Sequence, residues 1–286
     1  MSEKVKVYAT GGSKLSQFCR LKKMGGKILQ ENKIDLITAQ DPFFTGLIGV
    51  CLRRKTGIKL DVQLHGDFFS TDYYRTSGLK NWLQYHIARL WVIKKADKIR
   101  AVGGRIKKSL LEMGIEENKI EVRSIAINTD LIKNYQPKIN LHAKYSHYEK
   151  IFLSIGRLER VKNIDWLIDV FAQAVKANSN YLLLIVGEGS EKIKLQNQVK
   201  SLGLKNNVKF ENWTNDPISY IKTVDCILFP SLSEGYGLVA MEAAMVGMPV
   251  IMSDVGVANF ELRLSEKIKI LSLNDKNIWI QAILQI

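Results

Sequence analysis

The sequence predicts an α/β chain of two doubly wound, parallel-sheet domains. Short β-like apolar runs alternate with amphipathic helical patterns along its length, the rhythm of parallel strands covered by helices. That rhythm breaks once, over 135–150, in a polar segment with a proline and no clean period, and restarts at residue 151. With 286 residues the chain has room for two ordinary domains, and 46% hydrophobic residues with only five prolines describe a globular protein. The expected boundaries are therefore 1–134, a linker over 135–150, and 151–286.

Strands are expected at "KVKVYAT" (4–10), "DLITA" (35–39), "KLDVQLH" (59–65), "DKIRAV" (97–102) and "KIEVRSI" (119–125). Helical patterns lie between them at 16–31, 44–56, 78–95 and 105–113. In the second half "IFLSIG", "YLLLIVG", "NVKFEN", "CILFP" and "PVIMS" read as strands, separated by helices around 163–177, 190–202, 216–222 and 238–247. Two open sheets of this kind, joined by the linker, would face each other across a cleft. Ligands of open α/β sheets bind at the carboxyl ends of the strands.

Lys and Arg number 42 against 28 acids, a formal charge of +14. Such an excess favours a polyanionic neighbour: nucleic acid, a phosphorylated substrate or an anionic membrane. Short clusters stand at "LRRK" (52–55), "IKK" (93–95) and "RIKK" (105–108). Interleaved aromatics and a reading motif are missing, which argues against nucleic acid. No apolar run reaches the ~18 residues of a membrane span, and "MSEKVKVYAT" lacks the apolar core of a signal peptide. The expected location is cytoplasmic. Cys19, Cys51 and Cys226 are too scattered for a disulfide framework or metal site, and the last two read as packed thiols. His86, His142 and His147 read as surface or linker residues.

In "SIGRLERVKNIDWLIDVF" (154–171) a strand ends before a basic loop, and Asn163 can cap the helix that follows. Arg157 and Lys162 then stand at a strand's carboxyl end. A guanidinium fork and an ammonium point charge there suit a pyrophosphate; two solvated surface cations are the plainer alternative. In "LIVGEGSEKIKL", Gly187 and Gly189 bracket Glu188 at another strand-to-helix turn, either for close approach of a ligand or simply for a tight turn. In "FPSLSEGYGLVAMEAAMVGMPVIMSDVG" (229–256), Gly235 and Gly237 free the backbone and the helix from Leu238 points its positive end at the turn. Glu234 sits in the loop and Glu242 about one turn into the helix. No His or Asp nearby completes a metal shell, so none is expected. An ionised carboxylate can accept two hydrogen bonds from a vicinal diol. Diol, phosphate, diol is the pattern of a nucleotide sugar.

Taken together, Gly156-Arg157 with Lys162, and Glu-x7-Glu within the 229–256 stretch, resemble the carboxyl-terminal half of retaining GT-B glycosyltransferases of family 4 (glycosyltransferase group 1). "DVQLHGDFF", "ADKIRAV" and "INTDL" are similar to the amino-terminal half of bacterial members that build surface polysaccharides or glycolipids. The likeness covers roughly residues 31–286. It implies two Rossmann-like domains facing a cleft, the first on the acceptor side and the second binding the donor. It also implies transfer of a sugar, with retained configuration, from a UDP- or GDP-type nucleotide sugar to a glycan or lipid-linked acceptor, without cofactor or metal. Arg157 and Lys162 would bind the donor pyrophosphate. Glu234 would hold donor-sugar hydroxyls with backbone amides near Gly235, Tyr236 and Gly237, and Glu242 the ribose. Gly156, Gly187, Glu188 and Leu238 complete the donor set. His65 would face the sugar from the other domain and join Glu234, Arg157 and Lys162 as catalytic residues. Asp67 suits loop capping or acceptor contact. Peripheral contact with the anionic inner face of the cell membrane would use "LRRK" and the 93–108 cations.

Three departures accompany the likeness. The chain opens one βα unit late, which leaves the first domain incomplete, with Gly11-Gly12 a poor substitute for the usual loop. Gly103 stands where a serine is usual, and Asn212 where a glycine is expected. Against the family pattern the closing helices are expected to be absent, so Ile278, Trp279, Ile280, Ile283 and Leu284 should pack incompletely. A non-catalytic nucleotide-sugar-binding subunit, or an inactive shortened member, is the alternative reading.

Overall fold

A four-stranded, all-parallel sheet organises the first unit, in the order β1 (Leu36–Ala39), β2 (Lys59–Leu64), β3 (Lys98–Ala101), β4 (Ile120–Val122). The computed structural model describes Tyr8 and residues 13–263 and 266–286. Apart from Tyr8, the strand expected over 4–10 lies outside the described residues, as do Gly11 and Gly12. Residues through Val102 together with Ile106–Arg123 form this unit, and Gly103–Arg105 with Ser124–Ile286 form the second.

In β2, Leu60, Val62 and Leu64 are fully buried, while the residues between them reach the surface in part. This is the two-residue period of a strand with one well-covered face. The Phe44–Thr56 helix packs on β1 and β2. Arg53 at its end donates to Asp97 from Nε at 2.6 Å and Nη2 at 2.7 Å, and Asp97 also accepts the Leu60 N–H at 2.8 Å. One carboxylate thus ties a helix, β2 and the approach to β3. The helix expected over 78–95 forms as Leu79–Ile87, a π segment Ala88–Val92 and a 3-10 turn Ile93–Lys95.

The second unit holds a six-stranded parallel sheet in the order β10-β9-β8-β5-β6-β7. Its strands are β5 (Lys150–Ile155), β6 (Tyr181–Val186), β7 (Val208–Glu211), β8 (Cys226–Phe229), β9 (Val250–Ser253) and β10 (Ile268–Leu271). Every residue of β6, β8 and β9 is buried, as expected of parallel strands covered on both faces. The Cys226 thiol lies within β8, and its burial pushes its pKa up.

Two expectations are corrected here. Trp279 and Ile283 do not pack loosely: the Lys276–Leu284 helix docks on the Ile164–Ala177 helix and both are fully buried, while Ile280 and Leu284 are partly buried and Ile278 stays 37% exposed as expected. Trp279 meets the Trp166 ring edge-on at 5.2 Å and donates Nε1–H to the Ser272 carbonyl at 2.9 Å. The expected linker over 135–150 clusters with the second unit. Its Leu141–Lys144 helix is capped by Asn140, and Lys144 and Tyr145 reach Glu211 at 2.6 and 2.7 Å. Tyr220 donates to the same carboxylate, and burial together with that acid pushes its phenol up to about 12. A polar segment need not be a tether when its charges find buried partners.

Candidate functional site

The chain order of the second sheet reverses between β5 and β8: β6 and β7 lie to one side of β5, β8 to β10 to the other. Such a switch point leaves a crevice at the carboxyl ends of the two strands. A pocket opens there, lined by Ser154, Gly156, Arg157, Lys162, Phe229 and Ser231 among others. Sequence-distant segments following β5 and β8 supply its walls.

Lys162 ends the Arg160–Lys162 turn after β5, and its Nζ meets Glu234 Oε1 in an ion pair. The two side chains are 20% and 12% exposed, so this is not a surface pair screened by solvent. The Lys162 ammonium also lies 5.3 Å from the centre of the Phe229 ring, an attractive cation–π placement. Ser231 Oγ donates to the same Glu234 oxygen at 2.7 Å, and Ser253 Oγ donates to the Ser231 carbonyl at 2.6 Å. Neither serine was singled out from the sequence. The i, i+3 spacing of Ser231 and Glu234 in "SLSE" was the available signal.

Arg157 lines the same pocket, but its side chain is 68% exposed and pairs with Glu159 at 2.9 Å. Glu242 lies on the Leu238–Met245 helix, outside that pocket's lining. Its half-buried carboxyl makes no hydrogen bond or ion pair among the described residues, and burial raises its pKa above the ordinary value. Glu188 is largely exposed and paired with Lys192 at 2.7 Å, whose ammonium also reaches Asn212 at 2.9 Å.

Of the two glycines in the turn, only Gly237 takes an unusual backbone conformation, at φ 92°, as the residue before the helix; Gly235 does not. Tyr236 is buried, its carbonyl accepting the Val257 N–H at 2.9 Å, and Leu238 is exposed. Asn163 precedes the Ile164–Ala177 helix but at φ 57°, without a side-chain cap; its carbonyl accepts the Leu167 N–H instead. Gly187 is explained by the chain itself. A Cβ there would stand 1.9 Å from the Gly156 carbonyl oxygen, so the β6 turn needs glycine to pass the β5 loop.

In the first unit His65 follows β2, exposed, with Nε2 3.1 Å from Gln40 Oε1. Asp67 is buried and accepts both the Ser70 N–H, at 3.0 Å, and the Ser70 hydroxyl. That geometry caps the loop. No group of three His, Cys, Asp or Glu side chains able to hold a metal occurs among the described residues.

Comparison with known proteins bears on the family of the chain. The profile described as "Glycosyltransferase Family 4" matches residues 4–131, and "Glycosyl transferases group 1" matches residues 138–276. An uncharacterised glycosyltransferase of Methanocaldococcus jannaschii is 28% identical over 247 residues, 82% of this chain and 61% of that protein. The Escherichia coli UDP-Gal:alpha-D-GlcNAc-diphosphoundecaprenol alpha-1,3-galactosyltransferase is 26% identical over 279 residues, 91% of this chain and 68% of that enzyme. The chain thus spans only part of the length of the curated relatives it matches. A crystal structure of Anabaena Alr3699/HepE in complex with UDP and glucose superimposes with a TM-score of 0.77 at 19% identity, over 97% of this chain and 74% of that one. With one parallel sheet in each unit and both family profiles matched in order, the chain belongs to glycosyltransferase family 4 and has the GT-B fold.

Proposed function

We propose that the protein is a retaining glycosyltransferase. It moves a sugar from a UDP- or GDP-type donor to a glycan or lipid-linked acceptor in cell-surface polysaccharide or glycolipid synthesis. The observation that carries this reading is the Lys162–Glu234 ion pair at the β5/β8 switch point, beside a helix start. The cation and the acid neutralise each other. An incoming diphosphate competes for Lys162 and frees the Glu234 carboxylate to accept sugar hydroxyls. Arg157, exposed at the rim, supplies the second cation, and the helix N-terminus adds N–H groups that favour negative charge. These groups stabilise the charge that develops on the leaving diphosphate. Glu242, which makes no hydrogen bond or ion pair among the described residues, takes the ribose hydroxyls. His65 contacts the donor sugar. Transfer without a metal is part of the same proposal, tested by turnover in a chelator.

Isothermal calorimetry with UDP, GDP and their sugar derivatives tests the donor assignment. Arg157→Ala and Glu242→Ala are each expected to weaken binding roughly 10- to 100-fold, the size of one or two charge-assisted hydrogen bonds. Unchanged affinity in both variants would overturn it.

A further inference from the structure

In the helix Lys14–Glu31 of the first unit, Cys19, Lys22, Lys23, Gly26, Lys27 and Gln30 follow the three- and four-residue spacing that gathers side chains on one side. Where one helix lies along another, that side is ordinarily apolar. Here it is mostly lysine, and with Cys51, Leu52 and Lys55 of the Phe44–Thr56 helix it encloses a cavity of about 480 Å³. The two helices are held together by Phe18, edge-on to Phe44 with ring centres 5.9 Å apart. They also approach closely at Gly25, where a Cβ would stand 2.8 Å from Leu52 Cδ1.

No carboxylate lines the cavity, and Lys22, Lys23 and Lys55 make no hydrogen bond or ion pair among the described residues. Lys27 has Glu31 at 3.7 Å, but both side chains are well exposed and such a pair is weak. Four ammonium groups around one concave space repel one another, and low-dielectric walls focus their field into it. Gly26 is the buried floor. Glycine inside a helix costs stability relative to alanine, and the contact with Leu52 accounts for Gly25 alone. At Gly26 a Cβ would meet only the Lys55 ammonium, at 4.0 Å, so packing does not demand glycine there. Its missing side chain leaves room beside that ammonium. Lys55 shortly precedes Lys59, where β2 begins, whereas His65 follows the carboxyl end of the same strand. The cavity therefore lies toward the opposite end of the sheet from His65.

We infer that this cavity binds a small soluble oligophosphate, of the class of pyrophosphate or a nucleoside diphosphate, held by Lys22, Lys23 and Lys55 over the Gly26 floor. Lysine meets phosphate as a point charge with three rotatable donors. Several such charges converging on one space match a multiply charged anion rather than a single carboxylate. A recess between two helices suits a compact ligand. Its place away from His65 makes that ligand an effector and not a substrate, so the site does not rest on the proposed transfer reaction.

Cys19, exposed, and Cys51, half-buried in the wall, are natural reporters. Pyrophosphate should slow their modification by N-ethylmaleimide, a neutral reagent, read peptide by peptide by mass spectrometry. Sodium chloride of the same ionic strength should not. In Lys22→Gln/Lys23→Gln the pyrophosphate concentration for half-protection should rise about tenfold or more, as charge-assisted hydrogen bonds are lost. Gly26→Leu puts a side chain into the floor and should abolish protection. Both variants should keep a cooperative melting transition and the wild-type affinity for UDP. Pyrophosphate also suits the proposed donor crevice, so Arg157→Ala should leave the thiol protection unchanged. Protection in a chain that binds no nucleotide sugar would remove the donor reading and leave this one standing. Equal protection by chloride, or protection lost in Arg157→Ala, would overturn it. So would protection by phosphatidylglycerol vesicles with none by pyrophosphate.

Discussion

Glu234 and Glu242 stand eight positions apart on one strand-to-helix connection, yet their surroundings give them different chemistry. Glu234 pairs with Lys162 and accepts from Ser231, whereas Glu242 is half-buried without a hydrogen bond or ion pair among the described residues, and that desolvation raises its pKa above the ordinary 4.5. A carboxyl whose folded pKa is raised binds more protons folded than unfolded, so it costs stability as pH climbs above 4.5. Glu242→Gln should therefore raise the melting temperature at neutral pH, and the gap from wild type should close as the pH falls toward 4.5. The same variant should lose nucleotide affinity. A more stable variant that still binds as tightly would remove Glu242 from the donor site. The two acids, the two cations and their residue types were legible as separate letters. The contact between Lys162 and Glu234 was not, because they lie 72 residues apart and meet only where β5 and β8 are neighbours.

At the scale of the element, each expected strand within the described residues forms, because runs such as "YLLLIV" bury every side chain. Termini and turns were harder to read. β10 has only partly buried residues and no clean alternation to mark it. Gly187 illustrates how a weak motif acquires a cause: the β6 turn crosses the Gly156–Leu158 loop, where Leu158 donates its N–H to the Glu188 carbonyl at 2.8 Å. Gly187→Ala adds a carbon 1.9 Å from a backbone oxygen at φ 151°. Steric strain at such a site should destabilise the second unit by about 3 kcal/mol or more, measured by urea unfolding. Loss of under about 1 kcal/mol would mean that the loop moves aside at little cost.

The described residues form two parallel sheets of different exposure, four strands with one well-covered face and six in which β6, β8 and β9 are buried throughout. In the first, Asp97 ties three elements together, and the Arg53 hydrogen bond holds its pKa at about 2 against the ordinary 3.8. A depressed folded pKa stabilises above the unfolded value and is lost as pH falls from about 3.8 to about 2. With Arg53 36% exposed the effect should be about 1–2 kcal/mol after solvent screening. Asp97→Asn should flatten the acid limb of urea unfolding monitored in the first unit, and an unchanged limb would show the pair to be idle. By itself the sequence determined the alternating α/β rhythm, the two-sheet architecture and the residue types proposed to hold a nucleotide sugar, since periodicity and turn chemistry are local properties. The tertiary structure alone decided the strand order that brings Lys162 onto Glu234, the docking of Trp279 on Trp166, and the folding of the expected linker into the second unit. Each of those depends on contacts between segments far apart in the chain, whose burial and pairing no local pattern records.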